Sequence, residues 1–255
     1  MATPSTACPA GSLSVAIKTL GCRLNQSEEA VFAAEFQAAG LRLVSEGVPC
    51  DVRLIHSCAV THAAERETLR LVRAARRGSP GKTPLVVVSG CLAERLSPEE
   101  LLAQGADMVI PRRQRQELTR RVLERLGQPA LDASLSLLPC FRGARALLRI
   151  QDGCNFNCAY CIIPSTRGAP TSRPWQQVLA EAKGLIERGY RELVVTACNL
   201  ALYRDPHGDL TGLLAALCAL DGLGRLRLGS LEPGTCEREI AALMASEPRM
   251  APFLH

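Results

Sequence analysis

Three cysteines stand at C-x3-C-x2-C spacing in Gly153-Cys154-Asn155-Phe156-Asn157-Cys158-Ala159-Tyr160-Cys161-Ile162-Ile163-Pro164, directly after an apolar run. Thiolates this close together in one loop can converge on a single inorganic centre. A bacterial ferredoxin run, C-x2-C-x2-C-x3-C-P, supplies a fourth thiolate, whereas the next cysteine here is Cys198. Three protein thiolates on a four-iron cluster leave one iron without a protein ligand, and chemistry can happen there. Two other readings of the spacing stay open: part of a zinc site completed by a distant ligand, or buried apolar thiols with no ligand at all.

A second set emerges from the elements before it. Val15–Leu20, Val52–Ile55, Leu85–Val88 and Met108–Ile110 are short apolar or β-branched runs and read as strands. Ser27–Ala39, Ala63–Arg77 and Ser97–Ala103 read as helices, the last opening on Ser97-Pro98-Glu99-Glu100: a cap, an N1 proline and acidic first-turn residues. The alternation predicts an open parallel sheet with helices on its faces, flavodoxin- or Rossmann-like. Cys22, Cys58 and Cys91 each follow a strand, so the topology delivers them to the carboxyl edge of the sheet, where such folds bind ligands. Gly21 and Gly90 precede two of them and would let the backbone approach a bulky centre. The plain alternative is a small apolar residue at each strand end.

Residues 1–126 therefore form one domain, and 127–143, aperiodic and carrying Pro129 and Pro139, form a linker. Residues 144–255 open with the strand Ala146–Gln151, which delivers the C-x3-C-x2-C loop. A helix over Pro174–Arg188, a strand over Glu192–Thr196, a helix near Leu210–Leu220, a strand over Leu226–Leu228 and a helix near Glu237–Ala245 follow. This repetition suits a (β/α) barrel with its site at the carboxyl ends of the strands. Pro252–His255 reads as the start of a further strand, which leaves the barrel incomplete and its sheet edge exposed.

Composition sets bounds. The chain has 255 residues, 12 cysteines and a formal net charge of +5. No apolar stretch reaches the roughly 18 residues of a membrane span, and the start carries no secretory signal, so a cytoplasmic location is expected. In that compartment 12 cysteines argue for metal or redox chemistry over disulfides. The basic residues are nearly all arginine, which suits phosphate but also follows from a G- and C-rich genome. Arg112, Arg113, Arg115, Arg120, Arg121 and Arg125 crowd one expected helix with Glu117 and Glu124, and read as a solvated face ahead of an RNA contact. Gly78-Ser79-Pro80-Gly81-Lys82-Thr83 ends like a phosphate loop but lacks the first glycine and precedes a strand, so it reads as a turn. His56 and His62 receive no role, and Cys8, Cys50, Cys140, Cys218 and Cys236 fall in no pattern.

Taken together, Thr19-Leu20-Gly21-Cys22-Arg23-Leu24-Asn25-Gln26, Ser57-Cys58-Ala59-Val60-Thr61, Ser89-Gly90-Cys91, Gln151 through Pro164, Arg167-Gly168, Ser172-Arg173-Pro174 and Leu228-Gly229-Ser230-Leu231-Glu232-Pro233 resemble the radical S-adenosylmethionine (SAM) methylthiotransferases. The resemblance implies two [4Fe-4S] clusters: an auxiliary one on Cys22, Cys58 and Cys91, and one on Cys154, Cys158 and Cys161 whose open iron is chelated by SAM. It also implies two SAM molecules, one supplying a methyl to a sulfur held at the auxiliary cluster and one cleaved to a radical that takes the hydrogen from adenine C2. Tyr160, beside the last thiolate, is a wall for the adenosyl group or a packing aromatic.

Within the family, Gly-Cys-Arg-Leu-Asn-Gln and Ser-Cys-Ala-Val-Thr look like the bacterial branch that modifies N6-threonylcarbamoyladenosine beside the tRNA anticodon. The isopentenyladenosine branch typically reads Gly-Cys-Gln-Met-Asn, with Arg in the place of Thr61, and the ribosomal-protein branch has Pro-Lys after Gly-Cys. Implied partners are tRNA, an electron donor such as flavodoxin or ferredoxin, and a sulfur donor, with no membrane. Thr196-Ala197 stands where relatives tend to have Thr-Gly. Relatives also continue past the equivalent of His255 to complete the barrel and add an RNA-gripping β domain, so a fragment of a longer protein is expected. Other readings are a methylthiotransferase for another substrate, a non-catalytic iron-sulfur carrier or sensor, and a zinc-binding RNA module.

Overall fold

The computed structural model describes residues 12–77, 83–132, 137–141, 143–233 and 237–255. Cys8, Cys236 and most of the turn expected over Gly78–Thr83 lie outside them, as do parts of the linker. The chain falls into two compact units, residues 1–21 with 29–137, and residues 22–28 with 138–255.

The first unit is built on a five-stranded parallel sheet: β1 (Ser14–Thr19), β2 (Arg42–Leu43), β3 (Val52–Ser57), β4 (Leu85–Gly90) and β5 (Met108–Pro111), in the order β2-β1-β3-β4-β5. That order belongs to the flavodoxin-like doubly wound sheet, whose switch point lies between β1 and β3. Both faces are covered. Val15, Val52, Leu54 and Val87 pack with Phe32 and Phe36 of α1 (Arg23–Ala38) and with Leu118, Val122 and Leu123 of α5 (Leu118–Arg125). Ile55, Val86 and Val88 face the other way, onto Val72 and Ala75 of α2 (His62–Arg76), Ala93 of α3 (Leu92–Arg95) and Leu101 of α4 (Pro98–Ala103). The alternation along β4, Val86 and Val88 against Val87, is the period-two pattern of a strand buried on both sides.

Ser97 caps α4 through a full capping box with Glu100. β2 and α3 are not expected from the sequence, and two expected elements differ from their reading. α1 begins at Arg23, four residues before the expected start; Ser27 lies within the helix, where its hydroxyl donates back to the Leu24 carbonyl at 2.7 Å in place of capping. The arginine-rich segment is a 3-10 stretch, Arg112–Glu117, followed by α5; Arg112 is buried and Arg120 is tied to Glu117 and Glu124.

The second unit holds a three-stranded parallel sheet: β6 (Arg145–Arg149), β9 (Glu192–Thr196) and β12 (Arg225–Leu228), in the order β12-β9-β6. Between β6 and β9 come β7 (Gln151–Asp152), α6 (Ile163–Arg167), β8 (Thr171–Ser172) and α7 (Trp175–Glu187). Between β9 and β12 come the short hairpin β10 (Arg204–Asp205) and β11 (Gly208–Asp209), then α8 (Leu210–Cys218); α9 (Glu237–Ser246) follows β12. Leu148, Leu193, Val195 and Leu226 are wholly buried against Val178, Ala182 and Leu185 of α7 and Leu213 and Leu217 of α8.

The strand expected at Pro252–His255 does not form. Parallel pairing beyond β12 occurs earlier, as one bridge of Leu226 with Met250, in which Leu226 N–H donates to Arg249 O and Ala251 N–H donates to Leu226 O, both at 2.8 Å. Pro252 has no N–H with which to continue the ladder.

Candidate functional site

In the first unit β3 and β4 end side by side, with Ser57 opposite Gly90, and each hands the chain directly to a cysteine. Cys91 N–H donates to Ser57 O at 3.1 Å, Leu92 N–H to Ser57 Oγ at 3.2 Å, and the Cys58 thiol accepts from Val60 N–H at 3.5 Å. Gly90 has φ +95°, and a Cβ there would lie 2.3 Å from the Ser57 carbonyl oxygen. The glycine thus lets two strand ends approach each other. Cys58 and Cys91 are buried, while Cys22, three residues past the end of β1, is exposed and groups with the second unit. At the same end of the first sheet, Thr19 Oγ1 and Ser89 Oγ are buried with no hydrogen-bond partner among the described residues.

In the second unit Cys154, Cys158 and Cys161 lie on the loop between β7 and α6, all half-buried. Cys161 N–H closes a turn on Cys158 O at 3.0 Å, and Phe156 N–H donates to Cys154 Sγ at 3.4 Å. The entry to the loop is rigid. Gly153 has φ +74°, and a Cβ on it would lie 2.1 Å from the Ala169 carbonyl oxygen; Cys154 N–H donates to Gly168 O at 3.0 Å. Tyr160 is 91% exposed. Among the described residues no three His, Cys, Asp or Glu side chains are gathered as a metal-holding group. The structure brings together the Cys58 and Cys91 strand ends and, separately, the loop of Cys154, Cys158 and Cys161. The donor chemistry fits iron-sulfur clusters: thiols only, with a main-chain N–H on the sulfurs of Cys58 and Cys154.

Beside the loop is a buried charge network that sequence reasoning missed. The Arg167 side chain is wholly buried; Nη1 donates to Asp152 Oδ1 at 2.9 Å, Nη2 to Asn25 Oδ1 at 2.6 Å, and both reach the Glu28 carboxylate at 3.4 Å. Arg149 adds a second cation, 3.6 Å from Glu28 and 3.7 Å from Asp152. Two guanidinium groups face two carboxylates, so the buried charge is balanced. Asp152 Oδ1 also accepts from Gly153 N–H at 2.9 Å, which ties the network to the start of the cysteine loop. Gln151 completes the frame: its Nε2 donates to Asp152 O and Gly153 O, and its Oε1 accepts from Asn199 N–H. The motif Arg167-Gly168 is the available signal for this arrangement; nothing in the sequence pairs it with Asn25 and Glu28.

Cys198, just past the end of β9, donates its S–H to Asp152 Oδ1 at 3.5 Å. Burial, and then the Asp152 charge, push its thiol far above the usual range, with Arg167 opposing. With no metal beside it, it is held as a neutral thiol.

Residues 14–111 match the family described as "Uncharacterized protein family UPF0004", and residues 148–250 match the radical SAM superfamily. The chain is 33% identical over 238 residues to a threonylcarbamoyladenosine tRNA methylthiotransferase of Chlamydia pneumoniae, which covers 92% of this chain and 55% of that protein. It is 28% identical to a tRNA-2-methylthio-N(6)-dimethylallyladenosine synthase of Zymomonas mobilis, over 94% of this chain and 57% of that one. It is 32% identical to a ribosomal protein uS12 methylthiotransferase of Moorella thermoacetica, over 94% and 58%. The chain thus spans a little over half the length of these curated relatives. Among solved structures it is similar in fold to the radical SAM methyltransferase TsrM from Kitasatospora setae, with a TM-score of 0.60 at 13% identity, covering 92% of this chain and 59% of that one. With both domain types in order and relatives matched along nearly its whole length, the chain belongs to the radical SAM methylthiotransferase family.

Proposed function

We propose that the chain belongs to a tRNA-modifying enzyme that methylthiolates C2 of N6-threonylcarbamoyladenosine next to the anticodon, in the cytoplasm. The observation that carries this is the pairing of two cysteine sets in a chain aligned over most of its length with enzymes of that name. Cys154, Cys158 and Cys161 would hold the cluster that binds SAM, and Cys22, Cys58 and Cys91 the auxiliary cluster. When bound, the clusters and SAM supply one-electron chemistry together with the sulfur and methyl group; an unactivated aromatic C–H offers no route to a general base at neutral pH.

The chain's own residues shape the site. Asp152, held by Arg167, fixes the Gly153 amide at the loop entry. Cys198 donates its S–H to the same Asp152. Asn199 Nδ2, buried and without a hydrogen-bond partner among the described residues, is a donor available to the SAM side of the strand ends, and Tyr160 would close over the adenosyl group. An external electron donor of flavodoxin or ferredoxin type and a sulfur donor complete the system.

Relatives named for dimethylallyladenosine tRNA and for ribosomal protein uS12 align at 28% and 32% identity, so substrate is the point to test. Nucleosides and ribosomal proteins from a host lacking its own methylthiotransferases, with and without the gene for the full protein, are compared by mass spectrometry. A methylthio group appearing on threonylcarbamoyladenosine is expected. Its appearance on isopentenyladenosine or on uS12 instead would reassign the branch, and its absence from all three would remove the reading.

A further inference from the structure

Helix α2 carries a row of arginines that the cysteine chemistry does not use. Arg66, Arg70, Arg73 and Arg77 recur at i, i+4, i+7 and i+11, and all four are exposed. At 3.6 residues per turn these positions share one narrow face, while Thr68, Val72 and Ala75 bury the opposite face. With about 1.5 Å of rise per residue, the row runs for roughly 16 Å.

Its neighbours leave it cationic. Arg66 and Arg77 have no side-chain hydrogen-bond or ion-pair partner among the described residues. Arg73 is held only through Nε, 2.7 Å from Gln104 Oε1, a neutral acceptor. Arg70 is the exception, since its Nε and Nη2 both meet the Glu67 carboxylate at 2.7 Å. Lys18 also lies near enough to Glu67 to help lower its pKa, but it is itself paired with Glu46 at 2.9 Å and adds no net charge to the row. Leu71 and Ala74, on the flank of α2, line a cavity of about 200 Å³ that also carries Lys18, Glu46 and Arg53. The arginine-rich α5 segment is different: Arg120 lies between Glu117 and Glu124, and Arg121 is bonded to Gln114.

The row also starts at the candidate site. Thr61, three residues after Cys58, caps α2 by accepting from Ala64 N–H at 3.1 Å, so Arg66 lies just over one turn into the helix that follows Cys58. We infer that the Arg66, Arg70, Arg73 and Arg77 face of α2 binds the sugar-phosphate backbone of the RNA substrate. This inference rests on the proposal that the substrate is a tRNA. A linear row of guanidinium groups suits a strand whose phosphates recur along one line, each able to accept two parallel N–H bonds. An acidic protein, such as an electron donor, presents charge without that regularity.

The test is equilibrium binding of a tRNA transcript to the whole chain over a series of KCl concentrations. Wild type is compared with Arg66→Ala/Arg77→Ala and with Arg120→Ala/Arg125→Ala, each double variant removing two exposed arginines. The slope of log K against log salt is expected to fall by about two in the first variant, about one for each phosphate that is no longer neutralised, and to stay unchanged in the second. Arg66→Lys/Arg77→Lys keeps the charge and is expected to restore most of the slope. Equal slopes in both alanine variants would overturn the α2 assignment while leaving the RNA reading in place. No salt-dependent RNA binding by wild type would overturn both. An unchanged RNA slope together with loss of binding to purified flavodoxin would give the face to an acidic protein instead.

Discussion

Arg167 donates to Asp152 at 2.9 Å with its side chain wholly out of solvent, and the same guanidinium reaches Asn25 and Glu28, more than a hundred residues earlier in the chain. This one side chain joins residues 22–28 to the loop entry of Cys154. Removing it leaves two carboxylates to share Arg149 alone, an uncompensated negative charge in a buried setting. Arg167→Met is expected to destabilise the protein by about 3–5 kcal/mol, read as a lower urea midpoint. Arg167→Lys should recover only part of that, because an ammonium cannot reproduce the planar fork. A midpoint within error of wild type for Arg167→Met would show that the network contributes nothing.

Gly153→Ala tests the loop entry. The left-handed backbone costs about 1 kcal/mol for any other residue, and the added Cβ would in addition meet main-chain oxygen at 2.1 Å, which the loop can relieve only by moving. Iron bound at the Cys154, Cys158 and Cys161 set should be lost while iron at the other set is kept, as measured on reconstituted protein. Full retention of both would mean that the loop tolerates the shift.

Glu35 supplies a pH test in the first unit. Burial raises its pKa above the usual 4.5, and the hydrogen bond from Thr119 only partly offsets this. A carboxyl whose folded pKa is raised binds more protons folded than unfolded, so its contribution is present at low pH and is lost as pH rises through the folded value. Glu35→Gln should therefore be more stable than wild type at neutral pH, with the difference vanishing below about pH 4.5. A difference independent of pH from 3 to 8 (roughly the span in which carboxylates titrate) would contradict the burial argument.

Thiol labelling separates the cysteines by environment. Cys218 is pushed up to about 11, by burial first and then by Glu247, and Cys198 goes higher still. In metal-free protein at mildly alkaline pH, iodoacetamide should modify the exposed Cys22 and Cys140 and spare Cys198 and Cys218, as read by peptide mass spectrometry. Rapid modification of Cys198 would show that Asp152 does not hold its thiol.

What is legible in the sequence follows from the range of the interactions. β9 can be read residue for residue, Glu192–Thr196, because its apolar run is bounded by a charged turn, and Ser97 announces its helix through a purely local capping box. The start of α1 is misleading because Ser27 looks like a cap, whereas Asn25, two residues earlier, is held by Arg167 from the far end of the chain. β2, only Arg42–Leu43, is too short to show a period. The cysteines stand out because C-x3-C-x2-C is local and because three others each follow a run that reads as a strand. Their supporting residues, Asp152, Gln151 and Asn199, are ordinary polar residues until the fold brings them together. The arginine-rich stretch at Arg112–Arg125 draws attention by its density, yet the α2 row, sparser in sequence, is the one that lines a single face.

The central claim is two separate three-cysteine iron-sulfur sites in one chain. Iron and sulfide content after anaerobic reconstitution, wild type against a Cys154→Ala/Cys158→Ala/Cys161→Ala variant, tests it most directly. About eight irons per chain falling to about four is the expected result, four per cluster. About four falling to none would mean that Cys22, Cys58 and Cys91 hold no cluster, and the methylthiotransferase chemistry proposed here would lack its second centre.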